Sequence, residues 1–414
     1  MKRIVLVLVV LMVFAHGVFA NGEGDMKPSI VLAQNKPEID AQLKAYAEAW
    51  GDANGVEVTI KTCGGGTCEL GQMLKADYAA GEMPDIFAFP GPEDYLDWEA
   101  IILDLSQEPW VEKTSVAFMY DGKVYGFPVS IEGWGMAYNA DILAKAGVDP
   151  AGLVNLGAYR DAFEIIHSMK GELGLDSVVS MAAGPDMGWV TAHHNFNSLL
   201  SNGLPYGDTS AADDLLAGRV DDRRLYEYAD WVELLFLYAD KAVLTTGDYD
   251  AQVGAFVAGK AAFLHQGNWV DGNLKDAGVT FEIAFAPHGS MASATDGIFV
   301  SAPSFYAVNA ESPHVEAAKQ FLVDLATTDE GANYMVNEAG MIPAFSGIML
   351  SPSGQLSKSV QEWSSMNKVY SWNQYLFTGE FRDETLAPIY NQFAKGSISK
   401  AKFIAQMKRA FEER

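Results

Sequence analysis

The feature that most constrains the fold is an alternation of strand-like and helix-like patterns near the start of the chain. Residues 30–33 and 85–89 are short apolar runs, and between them Val56, Val58 and Ile60 alternate with polar residues as in a strand. The intervening stretches carry apolar residues at helical spacing: Ile39, Leu43, Tyr46 and Trp50, then Leu70, Met73, Leu74 and Tyr78. This β-α-β-α-β order predicts parallel strands with helices on both faces, and such sheets bind ligands beyond the carboxyl ends of their strands.

The rest of the chain also carries patterns of both strands and helices, which predicts a mixed α/β fold. Residues 261–264 and 281–286 are strand candidates, and the broken apolar stretch 299–308 predicts a crossing back to the first part of the molecule. Thr327 and Glu330 have capping-box spacing and predict that a second helix directly follows the one starting at Ser312-Pro313. Further helical faces carry Tyr159, Phe163, Ile166 and Met169, then Leu225, Ala229, Val232 and Phe236, and finally Phe403, Met407 and Phe411.

The first twenty residues have the pattern of an export signal. Lys2 and Arg3 precede an apolar run that is too short to span a bilayer, and Val18-Phe19-Ala20 offers small residues to a signal peptidase. We therefore expect a signal peptide at 1–20, the alternative being an N-terminal anchor that stays. No cysteine follows the run, so we expect no lipid anchor and a free protein in the periplasm. The remaining length, about 390 residues, suggests two domains.

The charge of the chain narrows its possible partners. The formal net charge of −26 repels nucleic acid and anionic lipid, so we expect neither as a partner.

Cys63 and Cys68 are the two cysteines of the chain, and three glycines and a threonine lie between them. In an oxidising compartment these glycines favour a structural disulfide, with two free thiols, a metal site or a redox pair as alternatives.

Four motifs carry a resemblance to a known family. They are Met83-Pro84-Asp85-Ile86-Phe87; the run 121–132 followed by Tyr138-Asn139-Ala140-Asp141; residues 256–263 followed by Gly267-Asn268-Trp269; and residues 316–322 followed by Thr328-Asp329-Glu330-Gly331. In this order, behind a signal peptide, they resemble the extracellular solute-binding proteins of ABC importers, the family that includes maltose-binding protein.

The resemblance implies an α/β fold of the periplasmic-binding-protein type II kind, with two lobes joined by a hinge and a ligand cleft between them. We expect one lobe to comprise residues 27–130 and 302–344 and the other to comprise 131–301 and 345–414. The implied function is capture of a carbohydrate and its delivery to the permease subunits of an ABC transporter. We expect a monomer that is not an enzyme and that needs no cofactor or metal.

The same resemblance supplies candidate ligand-binding residues. Glu132 matches the position of a ligand-binding carboxylate and Trp269 that of a stacking tryptophan, with a solvated hinge acid and core packing as the respective alternatives. The further candidates follow the first strand (Asn35, Lys36 and Glu38), follow the third strand (Phe89, Gly91 and Glu93), or belong to the second lobe (Trp134, Asp186, Trp189, Gly297 and Trp372). Asn35 could instead cap a helix, and Phe89 and Trp134 could instead pack in a core. The adjacent His193 and His194 invite a metal interpretation, but no further ligand follows at helical spacing.

Two other classes of function remain open from the sequence. One is a binding protein of the same fold for a polyamine or another non-sugar solute, which the acidity of the chain would suit. The other is a secreted glycoside hydrolase, which needs a pair of carboxylates. With 54 acidic residues such pairs are easy to find, and the sequence contains no Gly-x-Ser-x-Gly or His-Glu-x-x-His motif.

Overall fold

The computed structural model describes residues 27–64 and 68–414, so the predicted signal peptide lies outside the described residues. The described strands are β1 (Ser29–Gln34), β2 (Glu57–Thr62), β3 (Ile86–Phe89), β4 (Phe118–Tyr120), β5 (Lys123–Pro128), β6 (Glu132–Asn139), β7 (Ser177–Ser180), β8 (Ala261–Gly267), β9 (Ile283–Ala286), β10 (Ile298–Ser301), β11 (Phe305–Val308) and β12 (Val369–Tyr370).

The α-helices are α1 (Asp40–Asn54), α2 (Leu70–Ala80), α3 (Pro92–Leu96), α4 (Ala140–Ala146), α5 (Leu156–Ser168), α6 (Lys170–Leu173), α7 (Phe196–Ser201), α8 (Ser210–Leu216), α9 (Asp222–Tyr238), α10 (Lys241–Thr246), α11 (Tyr249–Val257), α12 (Asp271–Asp276), α13 (Val315–Thr327), α14 (Asp329–Asn333), α15 (Gln355–Ser365), α16 (Ala387–Ala394) and α17 (Lys400–Glu412). Three π-helical segments span Trp189–Asn195, Tyr334–Glu338 and Phe381–Leu386. Within the described residues, no helix is both long and apolar enough to cross a membrane.

The first sheet has the strand order β2-β1-β3-β11-β5-β4. β1 is parallel to both β2 and β3, which confirms the parallel arrangement predicted from the β-α-β-α-β pattern. β11 runs antiparallel between β3 and β5, so the chain does return to this sheet late in the sequence. The carboxyl ends of β1 and β3 place the segments beginning at Asn35 and Pro90 on the same edge.

The second sheet is built around β6, the long strand that follows the run 121–131. Its order is β12-β10-β6-β8-β7, and β9 also pairs with β6. The first sheet packs on a buried apolar core formed by residues before 130 and from 302 to 345. The second sheet packs on two further apolar cores, which are formed largely by the rest of the chain. The bounds of the two lobes given above stay a prediction.

Within the described residues, the chain passes between the sheets at three neighbouring places. In the first crossing β5 ends at Pro128 and β6 begins at Glu132, and in the second β10 ends at Ser301 and β11 begins at Phe305. The third crossing leads from residues 342–345 to α15. Ile131 donates its backbone N–H to the carbonyl of Ile342 at 2.9 Å, which joins the first crossing to the third. These short extended connections lie side by side, as in a hinge.

The helix ends differ in places from the sequence prediction. Thr328, not Thr327, accepts the hydrogen bond from Gly331 N and caps α14. The predicted second helix is present, but its cap lies one residue later than Thr327, and Thr328 caps it through its hydroxyl alone because Gly331 stands where a capping box needs Glu or Gln. Pro37 lies in a 3₁₀ turn, Pro37–Ile39, directly before α1 begins at Asp40. Gly81 ends α2 in the left-handed conformation, as its position predicts.

Candidate ligand-binding cleft

A cavity of about 200 Å³ lies between the two sheets, next to the crossings. Both lobes contribute to it: Lys36, Glu38 and Gln42 come from the end of β1 and from α1, and Glu132, Asn268, Trp269, Lys275 and Gln355 come from the second sheet and its helices. Ser130 and Ile131 of the first crossing complete the wall. The lining combines carboxylate, amide and ammonium groups with one indole ring.

Lys36 and Glu132 form an ion pair across the cleft, and Glu38 lies 3.6 Å from the same ammonium nitrogen. Burial alone would lower the pKa of Lys36, but Glu132 and then Glu38 outweigh burial, so the pKa is raised and the ammonium stays charged. Burial raises the pKa of Glu38, and Lys36 opposes that rise. Two carboxylates therefore share one buried ammonium at the junction of the lobes.

The turn after β1 is fixed by the side chain of Gln34. Its amide nitrogen donates to the carbonyl of Lys36 at 3.0 Å and to Thr62 Oγ1 at 2.7 Å, and its amide oxygen accepts from Lys36 N at 2.6 Å. Because Gln34 is buried, these bonds are shielded from water and fix the backbone direction at Lys36. The side chain of Lys36 is thereby aimed at the second lobe.

The Gly267-Asn268-Trp269 motif has a separate structural reason at each position. A Cβ on Gly267 would lie 2.1 Å from the Trp269 ring, so only glycine lets the indole lie flat against the backbone. Trp269 Nε1 donates to Gln266 Oε1 at 2.9 Å, which fixes the ring orientation. Asn268 accepts from Gly133 N at 2.9 Å and donates to Ser357 Oγ at 3.1 Å, which ties the start of β6 to α15.

Trp269 belongs to a group of rings from distant parts of the second lobe, here called the aromatic wall: Trp189, His194, Trp269, Trp372 and Tyr375. Its ring centroids lie 5.0 Å apart for His194 and Trp269, 5.4 Å for His194 and Trp372, and 6.3 Å for Trp372 and Tyr375. Trp189 joins it at 6.4 Å from Trp269. Burial is the first cause that lowers the pKa of His194, and nearby histidines and cations add to it, so this ring is neutral.

Some buried polar atoms around the cleft have no hydrogen-bond partner within residues 27–64 and 68–414. They include Asn35 Oδ1, Trp189 Nε1 and Trp372 Nε1. An unpaired buried donor or acceptor costs free energy, on the order of 1–3 kcal/mol. Asn35 therefore does not cap a helix here, and none of these three residues lines the cavity itself.

Two predicted site residues are buried among other rings and do not line the cavity. Phe89 lies inside the first lobe, with its ring 4.9 Å from Phe118 and 5.6 Å from Phe305. Trp134 is fully buried and stacks on Phe299 at 4.2 Å, beneath the aromatic wall. It is two residues after Glu132 and faces the same side of an ideal strand, but the ring of His194 covers it. Ligand contact at these two positions stays a prediction.

Four other predicted residues lie outside the cavity lining. Gly91 touches Tyr375 of the second lobe, and Glu93 lies in the first turn of α3. Asp186 is exposed in a 3₁₀ turn, and Gly297 is buried against Lys368 and Tyr370. Of the sequence candidates, the structure therefore brings together Lys36, Glu38, Glu132 and Trp269 at the cavity, with Trp189 and Trp372 beside them.

The sequence analysis missed Tyr375, Gln42 and Arg382. Tyr375 lies in the short turn Asn373–Leu376 and Arg382 in a π-helical segment, so neither belongs to a periodic pattern. Gln42 is one polar residue among several on α1. Gln42 lines the cavity, whereas Tyr375 and Arg382 lie outside its lining, where the second lobe meets Gly91 and Asp94 of the first. Only the tertiary structure brings these residues to their places, and no local signal could have identified them. Cys63 and Cys68 do form the expected disulfide.

Residues 42–366 match the family model described as "Bacterial extracellular solute-binding protein". The chain belongs to this family. The maltooligosaccharide ABC transporter solute-binding lipoprotein of Streptococcus pneumoniae serotype 4 is 25% identical over 320 residues, which are 74% of this solute-binding protein and 71% of the relative. The resemblance of the motifs to extracellular solute-binding proteins is thus confirmed.

Solved structures show the same fold at low identity. A sugar transporter from Bacillus licheniformis in complex with stachyose has a TM-score of 0.75 at 17% identity and covers 93% of this chain and 99% of its own. The solute-binding protein RafE in complex with raffinose has a TM-score of 0.75 at 16% identity, with the same coverage. These similarities confirm the two-lobe periplasmic-binding-protein fold predicted from the sequence.

Proposed function

We propose that this solute-binding protein captures a carbohydrate in the cleft between its lobes and delivers it to the permease of an ABC transporter. The observation that carries the proposal is the cavity shared by Lys36, Glu38, Glu132 and Trp269. A sugar presents C–H faces that an indole ring covers and a rim of hydroxyls that carboxylates and amides bind. Closure removes water from these bonds and strengthens them.

The names of related proteins support a carbohydrate as the substrate class. Proteins of the same fold are described in complex with stachyose, raffinose and cycloalternan, and the relative from Streptococcus pneumoniae is named for maltooligosaccharides. We propose a neutral oligosaccharide on this ground.

A polyamine is the strongest rival ligand, because two carboxylates lie in the cavity. Lys36 argues against it. The ammonium of Lys36 already pairs with Glu132 and faces Glu38, so a second cation in the same place would meet a like charge. A polyhydroxylated ligand can bind the carboxylates and leave the ammonium in place.

We further propose that the protein does no chemistry on its ligand. Glu38 and Glu132 both face one ammonium group, whereas glycoside hydrolysis needs one carboxyl group as a proton donor and the other facing the sugar or a water. The ligand would be released unchanged. Export by the predicted signal peptide, residence in the periplasm and a monomeric state belong to the same proposal.

A thermal-shift panel tests this function. The chain from residue 21 onward is heated with raffinose, stachyose, maltotriose, chitotriose or spermidine, and a ligand at about a hundred times its dissociation constant adds roughly 2.7 kcal/mol. We expect an oligosaccharide to raise the melting temperature, and Trp269→Ala to abolish that rise.

The matched control is Trp363→Ala. Trp363 is half-buried on α15 and donates to the carbonyl of Phe285, outside the cavity lining. The control should lower the melting temperature but keep the shift produced by the oligosaccharide. A shift with spermidine alone would show that the ligand is a polyamine and not a carbohydrate. Recovery of a cleaved oligosaccharide would show that the protein is a hydrolase and not a binding protein.

A further inference from the structure

A second contact between the lobes involves Asp94 and Arg382. Arg382 Nη2 lies 3.6 Å from Asp94 Oδ2, so an ion pair joins α3 of the first lobe to the π-helical segment Phe381–Leu386 of the second. Neither residue lines the cavity at Trp269. Arg382 is 1% exposed, which is rare for an arginine and indicates a specific role.

The second lobe fixes the guanidinium of Arg382 by itself. Arg382 Nε donates to the carbonyl of Phe377 at 3.1 Å, and Nη1 lies 2.9 Å from His193 Nδ1. The guanidinium carbon lies 4.9 Å from the centre of the Tyr375 ring, a cation–π distance. Because these contacts belong to one lobe, the side chain is ordered without help from the first lobe, and pairing with Asp94 costs little additional entropy.

Gly91 makes the approach of the lobes possible at this place. A Cβ on Gly91 would lie 2.6 Å from the Cβ of Tyr375, so any larger residue would push the second lobe away. The backbone of Gly91 is extended, at φ −179°, so the glycine is required by this close approach and not by its conformation. Gly91 is three residues before Asp94, and Tyr375 lies under Arg382.

The other charges around the pair show which attraction matters. Burial raises the pKa of Asp94, and Arg382 opposes that rise. Glu69 of the first lobe also faces this place, since burial and then Asp383 raise its pKa while Arg382 lowers it. Asp383 pairs with His193 at 2.6 Å. Arg382 is thus the cation that both first-lobe carboxylates face.

We propose that Arg382 and Asp94 are positioning residues that form an interlobe latch. The pair exists only when the lobes are together, so its attraction stabilises the closed arrangement alone. It would set how long a ligand stays enclosed without touching the ligand. That consequence for ligand retention rests on the proposed function, whereas the effect on closure does not.

Closure is tested in the absence of carbohydrate by chemical cross-linking. Gly379→Cys and Glu93→Cys place one cysteine on each side of the pair, because a Cβ on Gly379 would lie 3.8 Å from Asp94 Oδ1 and Glu93 directly precedes Asp94. A short bismaleimide then traps the closed arrangement by linking the two thiols at a rate that follows the closed population. Arg382 keeps its contacts within the second lobe in this background. The new thioether link survives reduction, which separates it from the native Cys63–Cys68 disulfide.

In this background, Asp94→Asn should slow trapping about fivefold to tenfold, and Asp94→Lys should slow it further because a like charge then faces Arg382. The matched control is Asp97→Asn, since Asp97 pairs with Lys75 at 3.0 Å inside the first lobe. The control should trap at the background rate, and the melting curves of all variants before cross-linking show that each is folded.

Equal trapping rates for Asp94→Asn and Asp97→Asn would overturn the latch. A faster rate for Asp94→Asn would overturn it as well, because the cost of burying the carboxylate would then exceed its attraction to Arg382. No carbohydrate is present, so these outcomes are independent of whether the cleft binds one.

Discussion

Lys36 at the end of β1 and Glu132 at the start of β6 form a buried ion pair, although 96 positions separate them in the chain. The two strands belong to different sheets, so the pair joins the two sheets next to the first crossing. A buried ion pair is weak support for stability by itself, because desolvation offsets its attraction. Both residues line the cavity, and under the proposed function they bind the hydroxyl groups of the ligand.

Glu132→Gln keeps the shape of the side chain but removes its charge. We expect carbohydrate affinity to fall roughly 10- to 100-fold, because a charged hydrogen bond contributes about 1.5–3 kcal/mol. Titration calorimetry with the oligosaccharide that the unaltered protein binds measures the change. Glu108→Gln is the control, since Glu108 pairs with Lys319 at 2.9 Å within the first lobe. Equal affinities in the two variants would remove Glu132 from the site.

Gly267→Ala tests whether the orientation of Trp269 matters. The new Cβ would lie 2.1 Å from the indole ring, so the ring must move from the cavity wall. We expect an affinity loss on the order of 10-fold, equivalent to about 1.4 kcal/mol. Gly135→Ala in β6 is the control, because a Cβ there meets its nearest neighbour at 3.6 Å. If the two alanine variants bind equally well, the position of the indole does not decide affinity.

The Cys63–Cys68 disulfide lies directly after β2, where Gly64 packs against the turn after β1. A Cβ on Gly64 would lie 2.2 Å from the carbonyl oxygen of Asn35. Replacing both cysteines by serine should remove roughly 2 kcal/mol and lower the melting temperature by about 2 °C, since the loop is short and the chain is long. A reductant should reproduce this shift in the unaltered protein and have no effect on the double variant. A reductant effect that persists in the variant would refute the assignment.

His265 predicts a pH dependence of stability for the second lobe. Its ring lies 5.2 Å from Trp134 and 6.0 Å from His288, and burial lowers its pKa to about 4. Below the unfolded pKa of about 6.5, the unfolded chain takes up a proton that the folded chain does not, so stability falls as the pH decreases from 6.5 to 4.

His265→Leu should remove up to roughly 3 kcal/mol of this pH dependence. Urea unfolding at pH 7.5, 6 and 5 gives the slope for each protein. The exposed His167 on α5 supplies the control, His167→Leu, which should keep the slope of the unaltered protein. Identical slopes in all three proteins would contradict a buried neutral His265.

Local sequence patterns predicted the parts of the fold that depend on local forces. Periodicity located β1, α1, β2, α2 and β3, because a buried face repeats every two residues in a strand and every three or four in a helix. The aromatic wall could not be predicted in this way. His194, Trp269 and Trp372 come from three distant segments, and only the tertiary packing of the second lobe brings them within about 6 Å of one another.

The burial of two candidate residues, Phe89 and Trp134, has the same origin. A residue at the end of a strand can face the core or the cleft, and the sequence does not say which, as Phe89 shows. Trp134 lies two residues after Glu132 and faces the same side of β6 in an ideal strand, yet it is covered by the aromatic wall. Burial by a distant segment decides such cases.

The most direct test of the carbohydrate proposal is a binding measurement that also recovers the ligand. Native mass spectrometry of the chain from residue 21 onward, after incubation with a mixture of neutral oligosaccharides and spermidine, gives both the mass and the number of bound molecules. We expect one intact oligosaccharide per chain, lost when Glu132→Gln and Trp269→Ala are combined. Retention of spermidine alone, or of a cleaved sugar, would contradict it.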